Sequence, residues 1–301
     1  MNLLSSDDLS REQINKIFSI ADHISDGKEE LALADNATMA LLFEKPSTRT
    51  RLSFEVAMAQ LNGSAFYIDR HTSQLSRGET IADTAKVLGS YCDFIAARLF
   101  KQSDLVELAE NAVGVPVINA LTDIEHPTQA LADLYTIKEF KGSIKNMEIA
   151  FIGDIATNTA NSLMLTAAKL GANVTLIGPK GYMPNSTYVN KAKEYSKTRV
   201  TSSLVEGLEG ADIIYTDTYV SMGEEKYAEK RRKLFSGYQV NAKVVSMAKK
   251  DAKVMHCLMA HRGEEITSEV LDGPQSIVWT QARNKLLLNK AIILFLSENT
   301  K

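Results

Sequence analysis

The chain has 301 residues, 45% hydrophobic and 24% charged, a globular mix that excludes long disorder and suits two domains of ordinary size. With 34 Lys and Arg against 37 Asp and Glu the formal net charge is -3, so no general polyanion-binding surface and no nucleic-acid partner are expected, while a local anion site stays open. The two cysteines, Cys92 and Cys257, lie far apart and fit a reducing cytosol. The start, Met1 to Asp8, lacks the basic and apolar parts of a signal peptide. No apolar run approaches the roughly 18 residues of a membrane span. A cytoplasmic location away from membranes is the expectation.

Ser10-Arg11-Glu12-Gln13 reads as a capping box opening a helix with Ile14, Ile17, Phe18 and Ala21 on one face. Thr38 to Phe43 is a buried strand, and Leu52, Val56 and Ala59 mark the next helix. The alternation continues: strand Ala65 to Ile68, helix through Ile81, Ala85 and Leu88, strand Phe94 to Leu99, helix Leu105 to Ala112, strand Val115 to Asn119, helix through Ala130, Leu134 and Ile137. In the second half Met147 to Ile152, Val174 to Ile177, Ile213 to Thr216, Val254 to Cys257 and Ile277 to Trp279 read as strands. Leu163 to Leu170 is helical, and a long helix from about Gln281 to Ser297 closes the chain.

Strands alternating with helices imply an α/β fold of two doubly wound parallel-sheet domains. The weakest periodicity, Lys141 to Asn146, places the boundary: residues 1–141 and 142–280, with a final helix over 281–301 packing back on the first domain. In such sheets ligands sit where strands end and helix N-termini point, so the residues that follow strands are the candidates.

Between strand and helix lies Glu44-Lys45-Pro46-Ser47-Thr48-Arg49-Thr50-Arg51. Unpaired backbone N–H groups, three hydroxyls and the Arg49 guanidinium make a phosphate cradle without Walker glycines. The plain alternative is an N-cap with two solvated arginines. His126-Pro127-Thr128-Gln129 follows a strand, with Pro127 suited to a first helical turn. His126 and Gln129 there can grip a carbonyl, or can be incidental to a capped helix. In His256-Cys257-Leu258-Met259-Ala260-His261, Cys257 is nucleophile, orienting group or buried filler. The spacing of His256, Cys257 and His261 matches no zinc pattern, so no metal is expected. Asp217-Thr218-Tyr219-Val220-Ser221-Met222-Gly223 suits an amino acid's ammonium and carboxylate, or is an ordinary turn. The run Lys230-Arg231-Arg232-Lys233 after it reads as a solvated helix face, since no stacking aromatics interleave it.

Taken in order, Ser47-Thr48-Arg49-Thr50-Arg51, His126-Pro127-Thr128-Gln129 and His256-Cys257-Leu258 resemble the aspartate/ornithine carbamoyltransferase family nearly end to end. Gln74-Leu75-Ser76-Arg77-Gly78-Glu79 and Arg98 at a strand end belong to the same pattern. The resemblance implies an active site in the cleft between two domains and transfer of a carbamoyl group from carbamoyl phosphate. Cys257 in place of the aspartate enzymes' Pro, and Asp217 with Ser221-Met222-Gly223, point to ornithine as acceptor, giving citrulline. It further implies that Ser47, Thr48, Arg49 and Thr50 bind phosphate, and that Arg98, His126 and Gln129 hold the carbamoyl group. Gln74 would reach a neighbouring subunit's site in a homotrimer. Asn158, Asp217, Ser221 and Met222 would bind ornithine, Cys257 would lie beside the reacting amine, and the Leu258 carbonyl would contact ammonium or amide protons. Arg98, His126 and Cys257 are the expected catalytic residues, with no cofactor. Two departures stand out. Met259 replaces the family's Pro, whose bond to Leu is typically cis, and Lys285 stands where ornithine enzymes carry an Arg, with Arg283 two residues earlier. A carbamoyltransferase for another amine or acylated amino acid, or a non-catalytic member that binds carbamoyl phosphate, is the alternative.

Overall fold

A computed structural model of the chain describes residues 1–27, 32–33, 36–220 and 225–299. Its elements run α1 (Arg11–Ser25), β1 (Thr38–Phe43), α2 (Thr48–Gln60), β2 (Ser64–Asp69), α3 (Ile81–Tyr91), β3 (Phe94–Arg98), α4 (Gln102–Asn111), β4 (Val117–Leu121) and α5 (Pro127–Lys141). They continue with β5 (Glu148–Ile152), α6 (Asn158–Lys169), β6 (Asn173–Ile177), α7 (Ser186–Lys193), β7 (Thr198–Thr201), α8 (Leu204–Leu208), β8 (Ile213–Thr216), α9 (Ala228–Phe235), α10 (Ala242–Val245), β9 (Lys253–His256), α11 (Ser268–Leu271) and α12 (Val278–Glu298).

Among the described residues the strands form two parallel sheets, of four strands in the order β2-β1-β3-β4 and of five in the order β7-β6-β5-β8-β9. Each order reverses once, at β1/β3 and at β5/β8, as doubly wound sheets do, and such switch points are where sheets of this kind carry ligands. The inner strands are continuous apolar runs: Met39 to Phe43 and Phe94 to Ala97 are all buried, as are Ile149 to Ile152 and Ile213 to Tyr215. Such runs are what parallel strands covered on both faces require.

The chain divides into two compact units, residues 1–132 with 285–301, and residues 133–284. The division falls inside α5, ahead of the 141/142 boundary expected from sequence, because one continuous helix carries the chain across it. The closing helix α12 begins in the second unit, and from Lys285 on it belongs to the first. The first unit's core gathers Leu42, Ile95, Ala97, Leu99, Leu105 and Val117. The second gathers Ile152, Ile177, Ile214, Val240, Val254 and Val278. Residues 277–279 are not a strand. Ser276 makes one parallel bridge with Val254, Ile277 N–H donates to the Val254 carbonyl, and the helix starts at Val278. Among the described residues no helix is long and apolar enough to cross a membrane.

Candidate active site

In the first unit the switch point places the ends of β1 and β3 side by side, with Phe43 and Arg98 in register. Ser47 caps α2, its hydroxyl accepting from Thr50 N–H at 3.3 Å. Thr50 is buried while Thr48 and Arg49 face solvent at the helix N-terminus. Glu44, which the sequence reading passed over, holds this corner. Its buried carboxylate accepts from Phe100 N–H at 2.6 Å, beyond the end of β3, and from the Arg70 guanidinium.

The same unit brings together three other candidates. Lys285 Nζ donates to Gln129 Oε1 at 2.8 Å and lies 3.4 Å from His126 Nε2, and all three side chains are buried. An ammonium has only donors, so Nε2 is the accepting nitrogen and His126 is neutral with its proton on Nδ1. Burial, then the charges of Lys285 and Arg98, hold His126 well below the ordinary histidine value. Arg98, at the end of β3, is 5% exposed. Arg283, the other candidate for the family's Arg position, turns outward and pairs with Glu139 at 2.9 Å. Lys285 is therefore the cation beside the carbamoyl candidates. Glu125, also missed, is buried and accepts from the hydroxyls of Ser5 and Ser6, each at 2.7 Å, which anchors the residue preceding His126. Gln74 is exposed in a 3-10 turn, and its side chain makes no hydrogen bond to the other candidates among the described residues.

In the second unit the switch point places the loops after β5 and β8 side by side, and β9 ends next to β8. Cys257 Sγ donates to Asp217 Oδ1 at 3.1 Å, joining two candidates from separate motifs. Asp217 Oδ1 also accepts Thr218 N–H at 2.8 Å. Asn158 opens α6, with its Oδ1 on Thr159 N–H at 2.7 Å. Ser221 and Met222 lie outside the described residues.

The turn after Cys257 is held from behind. Leu258 N–H donates to His256 Nδ1 at 2.8 Å, so that nitrogen carries no proton and His256 Nε2 donates to Glu265 Oε1 at 3.1 Å. Both His256 and Glu265 are fully buried. The Leu258-Met259 peptide bond is cis, as the resemblance implies for a Leu-Pro bond there. His256 N–H donates to Gln281 Oε1 at 3.0 Å, and Gln281 Nε2 donates to Asp133 Oδ1 at 2.7 Å. The Tyr215 hydroxyl donates to the other Asp133 oxygen at 2.8 Å. Side-chain ligand atoms of Asp217, His256 and Cys257 lie within 4.8 Å of one another, but both His256 ring nitrogens are engaged by Leu258 and Glu265.

The run Lys230 to Lys233 is not wholly solvated. Arg231 is 7% exposed and donates to Asp154, because a helix packed on the unit turns one side of even a charged sequence inward. Its sequence neighbours carry no signal of this, and neither does the pair Glu264-Glu265, of which Glu265 is the buried member.

Comparison with known families finds two consecutive domains in the chain. Residues 1–139 match the aspartate/ornithine carbamoyltransferase carbamoyl-P binding domain, and residues 145–296 match the Asp/Orn binding domain of the same description. An ornithine carbamoyltransferase of Bacillus subtilis is 46% identical over 308 residues, covering 100% of this chain and 96% of its own length. The solved structure of ornithine carbamoyltransferase from Pyrococcus furiosus superposes with a TM-score of 0.91 at 46% identity, covering 97% of this chain and 95% of that one. That of the anabolic enzyme from Campylobacter jejuni gives 0.93 at 38% identity, covering 99% of each. With both domain models matched and full-length relatives of this identity, the chain belongs to the aspartate/ornithine carbamoyltransferase family.

Proposed function

We propose that the protein transfers the carbamoyl group of carbamoyl phosphate to the δ-amine of L-ornithine, giving L-citrulline and phosphate. The observation that carries this reading is the 3.1 Å contact of Cys257 with Asp217. It assembles, from the ends of two neighbouring strands, a thiol and a carboxylate that suit an ammonium-bearing acceptor. Relatives matching over the full chain are described as ornithine carbamoyltransferases.

The first unit takes carbamoyl phosphate. Ser47, Thr48, Arg49 and Thr50 receive the phosphate on hydroxyls, a guanidinium and helix N-terminal N–H groups. Arg98, His126, Gln129 and Lys285 surround the carbamoyl group, and the Leu258 carbonyl accepts its amide protons. The second unit takes ornithine through Asn158, Asp217, Ser221 and Met222, with Cys257 orienting the δ-amine. The neutral amine attacks the carbonyl carbon and forms the C–N bond. Negative charge gathers on the carbonyl oxygen, where Arg98 and the Nδ1–H of neutral His126 stabilise it. The C–O bond to phosphorus's oxygen then breaks. The proton released by the amine balances the departing phosphate as hydrogen phosphate. No covalent enzyme intermediate is needed, so Cys257 is an orienting group.

A homotrimer in which Gln74 reaches a neighbouring copy belongs to the same proposal. β2 is an edge strand carrying Phe66, 56% exposed, with Leu52 of α2 54% exposed, a surface suited to cover by a second copy. A role in arginine metabolism and a cytoplasmic location belong to the same proposal. The alternatives, another amine acceptor or a non-catalytic member, draw on Met259 and Lys285. Incubation with carbamoyl phosphate and ornithine decides: citrulline and phosphate appear in equal amounts, whereas carbamoyl phosphate binding without any product contradicts the proposal.

A further inference from the structure

Arg231 lies on α9 and has been given no role above, yet it is 7% exposed. Its Nε donates to the Tyr219 carbonyl at 2.6 Å, and its Nη2 donates to Asp154 Oδ2. The guanidinium sits 5.5 Å from the Tyr182 ring and 5.4 Å from the Phe235 ring, and Phe235 stacks on Tyr219 at 5.2 Å. Arg232, the next residue, turns outward to Glu264 at 2.9 Å.

The two groups that Arg231 grips belong to the two loops of the switch point. Asp154 follows β5. Its other oxygen accepts Ala156 N–H at 3.1 Å and its carbonyl accepts the Thr157 hydroxyl at 3.3 Å, so it shapes the turn that delivers Asn158. Tyr219 follows β8, two residues beyond Asp217. A buried ion pair is a poor stabiliser compared with apolar packing. What a guanidinium adds is a planar fork of donors at fixed angles. We infer that Arg231 is a positioning residue for the second substrate: it locks the Asp154–Asn158 turn to the Asp217–Tyr219 loop, so that Asn158 and Asp217 meet the amino acid at a set separation. This rests on the ornithine reading given above, and Cys257 supplies a readout that does not.

Lysine at 231 can keep a charge on Asp154 but cannot hold both loops with one fork. In a Cys92→Ser background, Arg231→Lys raises the KM for ornithine about 10-fold and Arg231→Met about 100-fold, with the KM for carbamoyl phosphate within about twofold of the parent. Binding of L-norvaline, which lacks the δ-amine, weakens in parallel by calorimetry. With Asp217 loosened, the hydrogen bond that engages the Cys257 thiol is lost, so iodoacetamide alkylates Cys257 faster in Arg231→Lys and Asp154→Asn than in the parent. Should Arg231→Met fail to fold, these two variants carry the test. An ornithine KM within twofold of the parent in a folded variant overturns the inference, and so does an equal rise in both substrates' KM. If the parent does not use ornithine, only the substrate reading falls. Cys257 alkylation then decides the positioning role, faster alkylation upholding it and an unchanged rate overturning it.

Discussion

Lys285 Nζ reaches Gln129 Oε1 at 2.8 Å, a contact that puts the chain's substitute for the family arginine on a predicted carbamoyl ligand. A lysine supplies a point charge where arginine supplies a planar fork. Removing the charge by Lys285→Met should weaken carbamoyl phosphate binding about 10- to 100-fold, the ~1.5–3 kcal/mol of a hydrogen bond to a charged group. Lys285→Arg should lower the KM for carbamoyl phosphate several-fold. Steady-state kinetics on both variants check this, and a KM equal to the parent's or higher for the arginine variant contradicts it.

His126 should not titrate near pH 6.5. Its folded pKa is depressed by burial and by Lys285 and Arg98, so the unfolded chain binds the proton first as pH falls. The stability this neutral imidazole contributes is present above pH 6.5 and is lost as pH falls from there toward the folded value. Imidazole NMR shifts for His126 should stay flat from pH 8 to pH 6. Replacing it with Asn should flatten the pH dependence of stability below pH 6.5. A titration midpoint near 6.5 would sink the assignment of a permanently neutral donor.

Glu265 accepts both His256 Nε2 and the His261 N–H on one oxygen. Glu265→Ala leaves a buried imidazole N–H without an acceptor, at a cost of about 1–3 kcal/mol in thermal or urea unfolding. It also frees the turn that carries Cys257 and Leu258, so turnover should fall more than carbamoyl phosphate binding. Unchanged stability with unchanged turnover would show that the turn is held by other contacts.

Tyr215→Phe removes a hydroxyl donor to the buried Asp133 carboxylate, which also accepts from Gln281. A loss of about 1–3 kcal/mol is expected, with ornithine KM nearly unchanged because the lost hydrogen bond goes to Asp133, which has no part in the proposed ornithine contacts. Urea titration and kinetics on the same sample separate the two effects.

How much of this was readable beforehand varied with physical cause. The inner strands declared themselves because a parallel strand covered on both faces must be apolar throughout, as Ile149 to Ile152 are. The edge strand β7, Thr198 to Thr201, did not, since half of it faces solvent and it carries Arg199. Ile277 to Trp279 looked like a strand because a short apolar run does not distinguish a strand from a buried helix start. The motifs after β1, β4, β8 and β9 announced the candidate ligands, and the structure joins Lys285 to Gln129 and Cys257 to Asp217. The residues that hold those ligands in place were silent. Glu44, Glu125, Arg231 and Glu265 are ordinary charged side chains in sequence, and only tertiary packing decides which of them turns inward.

The most direct test of the central claim is kcat/KM of the purified protein for ornithine, aspartate and putrescine, each with saturating carbamoyl phosphate. Cys257 and Asp217 placed together predict citrulline from ornithine, with ornithine preferred over the other two by several orders of magnitude. Preferred turnover of aspartate or putrescine, or no turnover of any amine, would contradict it.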